Sequence, residues 1–233
     1  MEFFNLNENS LLVSWNDELN SSLTRMISLY KTKILSLCKD DIKDCVQSIK
    51  SILIIIDLNK TSINEMVEKI KMIDYEKINN YDMGIKVWEV PVCYDLEFAT
   101  DINLLSDINK ISVRDIIDTH LSKTYDVLSM GFLPGFMYLG KTDKKLHCER
   151  KEKPSLNIRK GSIGLALDQT CIYPRQSPGG WHIIGNSPIE FFNLNYKHPC
   201  FSKPGDKIKF VEISKSQYKS SINRLDKPKL IEL

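Results

Sequence analysis

The sequence predicts an α+β protein in two parts, with regular α/β structure in front and a turn-rich β-barrel behind it. All ten glycines and all nine prolines of the 233 residues lie after residue 83. Because Gly and Pro break helices and build tight turns, the front should be regular and the back rich in turns. Apolar residues in the front follow strand and helix periods, whereas behind it they form many short runs. We expect one domain at residues 1–83 and a second at residues 84–233.

The front region reads in order as strand, helix, two strands, helix and strand. Apolar residues alternate in the first strand, recur at helical spacing in both helices, and form a continuous β-branched run in the third strand. The order β-α-β-β-α-β is that of a ferredoxin-like split unit. The predicted elements run from Leu11 to Trp15, Leu19 to Tyr30, Ile42 to Ile49, Ile52 to Ile56, Ile63 to Ile73 and Ile85 to Val92.

Polar residues mark where the helices should begin. Asn16 or Asp17 is the expected cap of the first helix, because Asn and Asp side chains accept hydrogen bonds from the first free backbone N–H groups. Ser62 followed by Glu65 forms a capping box before the second helix. Ser112 opens a third helix in the same way, which we expect to end at Leu121.

Behind this third helix the chain breaks into short apolar pieces, nearly all separated by Gly or Pro. Many short strands with frequent turns indicate a closed or nearly closed β-barrel. The polar and basic stretch 214–233 should be a loosely held tail. The pieces run from Tyr125 to Met130, Ser162 to Leu167, Thr170 to Tyr173, Trp181 to Ile184, Glu190 to Leu194 and Lys207 to Ile213.

Composition excludes several classes of function. The net charge is only +2, from 32 basic and 30 acidic residues, so the chain lacks the electrostatic footprint of a nucleic-acid-binding protein. No run of about 18 apolar residues exists to cross a membrane. Residues 1–10 are acidic and polar, unlike a secretory signal, which favours a cytoplasmic location. The six cysteines form no C-x-x-C pair, so we expect reduced thiols and no metal site.

One motif matches a phosphate-binding loop literally. The segment from Gly135 to Thr142 reads G-x-x-x-x-G-K-T. Such a loop requires a following helix whose N-terminus holds the phosphates, and residues 143–154 show almost no apolar stripe. The four intervening residues are Phe, Met, Tyr and Leu, whose bulk hinders a tight backbone cradle. We therefore interpret the match as fortuitous.

Two dense segments of Gly, Pro and aromatic residues are candidates for a binding site. The first, 131–139, reads G-F-L-P-G-F-M-Y-L, and is either a barrel corner with aromatics in the core or the apolar wall of a pocket. The second, 161–188, contains S-P-G-G-W and several turns, and loops of this kind carry function. Its turns could aim backbone N–H groups at a carboxylate or oxyanion, or be plain hairpins. Trp181 suits a core anchor better than a ligand platform.

These two segments carry a resemblance to a known family. The motifs G-F-x-P-G-F-x-Y-L, G-S-I-G, Q-T-x-I-Y-P and S-P-G-G-W-x-I-I-G are similar to the signature shared by the B subunits of bacterial 5-oxoprolinase and the Kip-type inhibitors of a sporulation sensor kinase. The same domain occurs in urea carboxylase and in proteins labelled allophanate hydrolase subunit 1. The resemblance extends forward through Pro91 to Tyr94 and His120, and covers nearly the whole chain.

The resemblance implies a ferredoxin-like domain followed by a cyclophilin-like β-barrel. It implies a non-autonomous subunit of a hydrolase that opens 5-oxoproline to glutamate, with ATP used by the assembled complex. Its partners would be a C subunit or Kip-antagonist homologue and often an A subunit. The alternatives are a Kip-type inhibitor that binds a histidine kinase, and a carboxyltransferase or allophanate hydrolase-like component.

The expected substrate-binding residues come from the two segments and their flanks. His120 lies on the apolar stripe of its helix, either as a hydrogen-bonded core histidine or as a general acid or base facing the barrel. The substrate-binding set is Gly131, Phe132, Pro134, Gly135, Phe136, Tyr138, Arg150, Gln169, Tyr173, Ser177, Pro178, Gly179, Gly180 and Trp181.

The chain also departs from the family pattern. Ser155 and Asn186 stand where the family has arginine, and Arg159 stands where it has proline. Arginine binds a carboxylate or phosphate through two parallel hydrogen bonds, so the absence of these two arginines bears on substrate binding. Arg150 matches a family arginine, and Arg150 with Arg159 are the residues that could compensate.

Overall fold

The computed structural model describes residues 1–74, 84–222 and 228–231. It is a mixed α/β structure that divides into two compact units, Met1–Gly84 and Ile85–Leu233. The expected boundary between residues 83 and 84 falls at the edge of the stretch 75–83, outside the described residues.

The first unit is a four-stranded antiparallel sheet with two helices. The strands lie in the order β1-β2-β4-β3. Leu11 and Val13 of β2 are fully buried, as their alternation predicted, whereas in β4 burial alternates, with Ile52 and Ile54 fully buried, although its apolar run is continuous. The elements are β1 (Glu2–Asn7), β2 (Ser10–Ser14), α1 (Ser21–Leu37), β3 (Ile42–Gln47), β4 (Ser51–Ile56) and α2 (Ile63–Lys71).

The two helices cover the buried face of this sheet through one apolar core. Met26, Ile27 and Ile34 of α1 meet Met66 and Ile70 of α2 within this core. The capping box predicted at the start of α2 is present, with the Ser62 hydroxyl accepting from the Glu65 N–H. Five of the six predicted elements of the front region are observed in this unit, and the sixth, predicted from Ile85 to Val92, is observed as a strand of the second unit.

Two predictions for this unit were wrong, and one strand was missed. The missed strand is β1, formed by the N-terminal residues, which pairs with β2 as a hairpin at one edge of the sheet. The sixth predicted element pairs in the second unit instead. Helix α1 is capped by Asn20, whose side chain accepts from the Leu23 N–H at 2.8 Å, and not by Asn16 or Asp17.

The second unit is built on an eight-stranded sheet with three described helices. Its strand order is β12-β9-β10-β7-β6-β13-β5-β14, with a separate β11-β8 pair. The β13–β5 pairing is parallel, and the other pairings are antiparallel. The first elements are β5 (Val87–Val92), α3 (Ile102–Asn109), α4 (Val113–Leu121), β6 (Thr124–Met130), β7 (Met137–Gly140) and β8 (Ser155–Ile158). The remaining elements are β9 (Ser162–Ala166), β10 (Gln169–Ile172), β11 (Ser177–Gly179), β12 (His182–Asn186), β13 (Lys207–Glu212), α5 (Lys215–Ile222) and β14 (Lys229–Ile231).

An isolated β-bridge connects the residue after β5, near one edge of this sheet, to β12 at the opposite edge. Cys93, just after β5, pairs with Asn186 of β12 through two backbone hydrogen bonds of 2.9 and 3.0 Å. The sheet therefore folds back on itself at this point. Val90, Leu139 and Ile208 are among the residues with no exposed surface in the core that it surrounds.

Sequence reasoning missed several elements of this unit. The stretch from Glu190 to Leu194 is not a strand, and the expected tail contains α5 and β14 within its described residues. Helix α3 and the short strands β7, β8 and β11 were not predicted. No helix in the described part of the chain is long and apolar enough to cross a membrane.

Candidate functional site

The first Gly- and Pro-rich segment forms a tight turn before β7. The Gly131 N–H donates to the Phe136 carbonyl at 3.3 Å, and the Phe136 N–H donates to the Leu133 carbonyl at 2.9 Å. Gly135 has a φ of +85°, and a Cβ there would lie 2.8 Å from the Phe192 Cβ, so only glycine fits. Phe132 also has a positive φ, of 70°, and its ring is 62% exposed. The turn thus buries one aromatic ring and presents another to solvent.

Phe136 is the buried ring at the centre of an aromatic cluster. Its ring centroid lies 4.9 Å from that of Tyr173, 4.8 Å from that of Tyr138 and 6.2 Å from that of Trp181. These partners come from both dense segments, so the fold brings the two segments together. Because the rings pack on one another, the cluster is a filled wall and not an open pocket. Trp181 is only 4% exposed, as expected of a core anchor.

The S-P-G-G turn lies against this cluster. Strand β11 contains Ser177 and Gly179 and pairs with β8. A Cβ at Gly179 would lie 2.1 Å from the Tyr173 hydroxyl oxygen, so the backbone approaches the ring as only glycine allows. The buried Ser177 hydroxyl has no hydrogen-bond partner within the described residues. Pro178, between these two residues, is exposed to solvent.

Arg150 lies over the outer side of the cluster. Its guanidinium carbon is 5.6 Å from the Trp181 ring centroid, in a cation–π contact. Burial raises the pKa of the Tyr138 hydroxyl, and the charge of Arg150 partly offsets that rise. Next to it, the Lys151 N–H donates to the Gly180 carbonyl at 2.9 Å, which fixes the turn beside the guanidinium. The result is an exposed cation on an aromatic surface, bordered by turn backbone.

Strand β10 separates two environments. Gln169, Cys171 and Tyr173 alternate on one side, and Cys171 and Tyr173 belong to the aromatic cluster. Thr170 and Ile172 alternate on the other side, and Ile172 belongs to the main core. Gln169 is half-buried at the cluster side of this strand.

His120 lies in the main core, fully buried. Its Nε2 is 3.1 Å from the Thr170 hydroxyl, and its Nδ1 is 2.8 Å from the Tyr94 hydroxyl. Burial lowers the pKa of His120 to about 3, so the imidazole is neutral. The sheet places it on the opposite side of β10 from the aromatic cluster. The structure therefore does not bring the candidate acid–base residue together with the expected substrate-binding residues.

An ion pair that the sequence did not reveal lies next to the cluster. Lys151 Nζ lies 2.8 and 2.7 Å from the two carboxylate oxygens of Asp101, and both side chains are largely buried. Asp101 also accepts from the Ile183 N–H at 2.7 Å. The two charged residues are 50 positions apart, and no local sequence pattern links them.

Asn186 is a structural residue in this chain. Its side chain accepts from the Tyr218 hydroxyl at 2.7 Å and donates to the Lys160 carbonyl at 2.8 Å. It is 1% exposed. The polar atoms of Asn186 are therefore used within the fold.

The literal phosphate-loop match forms no phosphate cradle. Its residues make up the Gly135 turn and strand β7, and the next element is a one-turn 3₁₀ helix at Lys144–Leu146. Among the described residues, no group of three His, Cys, Asp or Glu side chains could hold a metal ion. All six cysteines are free thiols.

Sequence comparison relates the chain to one family over most of its length. The family model for the carboxyltransferase domain, subdomain C and D, matches residues 1–202. The chain is 29% identical to the 5-oxoprolinase B subunit of Bacillus subtilis (strain 168) over 223 residues, covering 91% of this chain and 93% of that protein. It is 35% identical to the 5-oxoprolinase B subunit of Escherichia coli O157:H7 over 123 residues, covering 53% of this chain and 56% of that protein.

Solved structures share the fold. An uncharacterized protein, PH0987 from Pyrococcus horikoshii, is 35% identical, covers 93% of this chain and 100% of its own, and superimposes with a TM-score of 0.56. TTHA0988 superimposes with a TM-score of 0.78 at 23% identity, over 88% of this chain and 40% of that protein. The Kluyveromyces lactis urea amidolyase superimposes with a TM-score of 0.77 at 16% identity, over 99% of this chain and 16% of that protein. The last two likenesses concern the fold alone.

Proposed function

The chain belongs to the family of carboxyltransferase subdomains C and D, and from that membership we propose that it is the B subunit of an ATP-dependent 5-oxoprolinase. The enzyme converts 5-oxo-L-proline, ATP and water to L-glutamate, ADP and phosphate. The observation that carries the proposal is the match to the Bacillus subtilis B subunit, which spans nine-tenths of both chains. A match of that extent covers both units of the structure and not a shared module alone.

Opening a five-membered lactam at neutral pH requires activation, because an amide carbonyl is a poor electrophile. ATP supplies that activation in the assembled enzyme. A site for this reaction needs groups that grip the substrate carboxylate and donors for the developing oxyanion. The exposed guanidinium of Arg150 over Trp181 and the adjacent S-P-G-G turn are groups of this kind. The chain's own contribution is thus recognition and orientation.

The arrangement of these groups favours a site shared with a partner. The aromatic cluster is filled, so a ligand held by Arg150 would lie on its outer surface and need a second wall. We propose that the C subunit provides this wall and that the A subunit completes the enzyme, with ATP and nucleotide binding a property of the complex. The site residues on this chain are then the substrate-binding set expected from the sequence, whose members exposed to solvent are Phe132, Pro134, Arg150 and Pro178.

Membership of this family also supports proposals about the fold of each unit and about the cellular location. We propose that residues 1–83 are a ferredoxin-like domain, with the N-terminal hairpin strand in place of the last strand, and that residues 84–233 are a cyclophilin-like barrel. The six free thiols suit a reducing compartment, and we place the protein in the cytoplasm.

One other candidate function has an observation in its favour. The chain is 22% identical to the urea amidolyase of Lachancea kluyveri over 202 residues, covering 73% of this chain and 11% of that protein. A carboxyltransferase-like role on urea or a related amide fits this likeness. The Kip-type inhibition of a histidine kinase stays a prediction of the sequence motifs.

Reconstitution tests the proposal. The purified chain is combined with the homologues of the C and A subunits from its own organism, and glutamate and phosphate release from 5-oxoproline and ATP are measured. We expect turnover only with all components present, because this chain supplies part of a shared site.

The controls separate the candidate functions. Urea in place of 5-oxoproline tests the carboxyltransferase-like role, and an autophosphorylation assay with histidine kinases of the same organism tests the inhibitor. Undiminished oxoprolinase activity after omission of this chain, or robust turnover by this chain alone, would contradict the proposal.

A further inference from the structure

A small cavity lies between strand β8 and the residues just before α3, at the edge of the aromatic cluster, to which its lining residues Ile158 and Ile183 belong. Its volume is about 80 Å³. Phe98, Ile158 and Ile183 line it with apolar surface, and each is buried by at least nine-tenths. An apolar lining of this kind suits the carbon body of a small organic molecule.

Two serine hydroxyls line the same cavity as hydrogen-bond donors. The Ser155 oxygen accepts from Lys151 Nζ at 2.9 Å, and the Ser162 oxygen accepts from the Asn186 amide nitrogen at 3.3 Å. Each hydroxyl oxygen thus already receives a hydrogen bond. Within the described residues neither hydroxyl hydrogen has an acceptor, so both remain able to donate to a ligand.

Arg159 adds a positive charge at the mouth of the cavity. Its guanidinium is only loosely paired, with the Nη1 atom 4.0 Å from a carboxylate oxygen of Glu97. Glu97 makes its closer ion pair with Lys215, at 2.7 Å, and this contact lowers the pKa of the Glu97 carboxyl group. The N–H donors of the Arg159 guanidinium are therefore available to an anion that enters the cavity.

The buried pair Lys151–Asp101 fixes this donor set in place. Lys151 contacts both Asp101 and Ser155, and Asp101 holds the backbone N–H of Ile183. The positions of Ser155 and Ile183 on the cavity wall are thus set by hydrogen bonds to charged groups, which are the stronger kind. A site that is rigid before the ligand arrives loses less free energy on binding.

We propose that this cavity binds a small organic monocarboxylate, with Arg159 and the two serine hydroxyls on the carboxylate and the apolar side chains on the carbon body. The donors call for a ligand with a carboxylate to accept from them, and the apolar lining favours a carboxylate with a short carbon body over inorganic phosphate. The site belongs to this chain alone. It differs in this from the Arg150 surface, which needs a partner, and it does not depend on the proposed function.

Titration calorimetry on the full chain tests this assignment, with 5-oxoproline, propionate, phosphate and 2-pyrrolidinone as probes. The last is the lactam ring of 5-oxoproline without its carboxylate. We expect both carboxylates to bind, and 2-pyrrolidinone to bind about tenfold more weakly than 5-oxoproline because it lacks the charge-assisted hydrogen bonds. The variant R159Q should weaken both carboxylates by about tenfold for the same reason.

Two further variants give results that misfolding would not produce. E97Q removes the competing carboxylate at the mouth and should tighten binding, whereas R175Q removes another exposed arginine of the same unit and should change nothing. Unchanged affinity in R159Q, phosphate bound more tightly than the carboxylates, or no binding of any carboxylate would overturn the assignment. Failure of reconstituted oxoprolinase activity with carboxylate binding intact would instead count against the proposed function alone.

Discussion

At the scale of single residues, the hydrogen bonds around His120 fix which of its nitrogens carries the proton. The Thr170 hydroxyl donates to the Gly164 carbonyl at 3.0 Å, so it must accept from the His120 Nε2–H. The His120 Nδ1 atom therefore accepts from the Tyr94 hydroxyl. A second proton on the ring would have no acceptor in this arrangement and no contact with solvent. His120 thus links α4 to β10 and to the segment after β5 as a neutral group.

This arrangement predicts a pH-dependent stability. The folded-state pKa of His120 is lowered to about 3, below the unfolded value of 6.5, so the unfolded chain binds more protons between these values. Stability is then complete above about pH 6.5 and is lost as pH falls, by about 1.4 kcal/mol per pH unit for one proton. We expect H120Q to flatten this slope between about pH 6.5 and 5, measured by urea unfolding. His182, whose pKa is also lowered by burial, contributes to the slope that remains.

That pH window avoids the carboxylates whose pKa is lowered in the fold, since those titrate at more acidic pH. The absolute stability of H120Q is not the readout, because losing the ring also loses its stacking on Phe210 at 4.6 Å. A slope in H120Q equal to that of the original chain would show that His120 does not titrate on unfolding.

Arg150 carries the residue-scale prediction for activity. Because its side chain is exposed and rests on the face of Trp181, R150Q should change the free energy of unfolding by less than about 1 kcal/mol. In the reconstituted enzyme we expect R150Q to raise the KM for 5-oxoproline by about tenfold or more, from the loss of a charge-assisted hydrogen bond. R150K keeps the charge but not the two parallel N–H donors of the guanidinium, so its KM should lie between that of the original chain and that of R150Q. Unchanged kinetics in R150Q would remove Arg150 from the site.

At the scale of elements, the short strand β11 depends on glycine for its place against the aromatic cluster. Besides the Tyr173 hydroxyl, a Cβ at Gly179 would meet the Ile158 side chain at 2.9 Å. Tyr173 and Ile158 are both buried and cannot move aside freely. The neighbouring Gly180 has no atom nearer than 3.8 Å to its ideal Cβ position. Gly179 and Gly180 thus allow the same substitution to be compared at a crowded position and at an open one.

We expect G179A to lower the free energy of unfolding by about 2–3 kcal/mol, as overpacking in a core does, and G180A to change it by less than about 1 kcal/mol. Urea unfolding of both variants measures the difference. G179A should also shift the near-ultraviolet circular dichroism of the aromatic cluster. Equal stability of the two variants would show that β11 does not pack this tightly on Tyr173.

An element could be predicted from the sequence when the interactions that form it lie within a few residues of one another. The capping boxes at Ser62 and Ser112 act within four residues, and both are present. Strand β11 has three residues with a proline among them, and only its pairing with β8 makes it a strand. The Asp101–Lys151 pair and the cavity beside it bring together residues that are far apart in the sequence, so no hydrophobic period or sequence motif predicts them. The composition of the two dense segments made both of them candidates for a binding site, but it did not reveal that aromatic rings from both would pack together.

At the scale of the whole molecule, the two units have separate apolar cores. Among the described residues, the buried members of the core of the first unit lie between Leu11 and Ile73, and they include the fully buried Ile54 and Met66. A hydrogen bond of 3.2 Å from the Tyr30 hydroxyl to the Ile70 carbonyl links its two helices. A unit of this size with a complete core is large enough to fold by itself. Its stability should then come from within residues 1–84.

We therefore predict that the fragment of residues 1–84 folds and unfolds cooperatively in urea. Trp15 is the one tryptophan of this unit and is 2% exposed, so its fluorescence reports on this core, both in the fragment and in the full chain carrying W88F and W181F. I54A should lower the free energy of unfolding by about 3 kcal/mol in both, because it leaves the same cavity. A fragment without a cooperative transition, or an I54A effect confined to the full chain, would mean that the first unit draws its stability from the rest of the molecule.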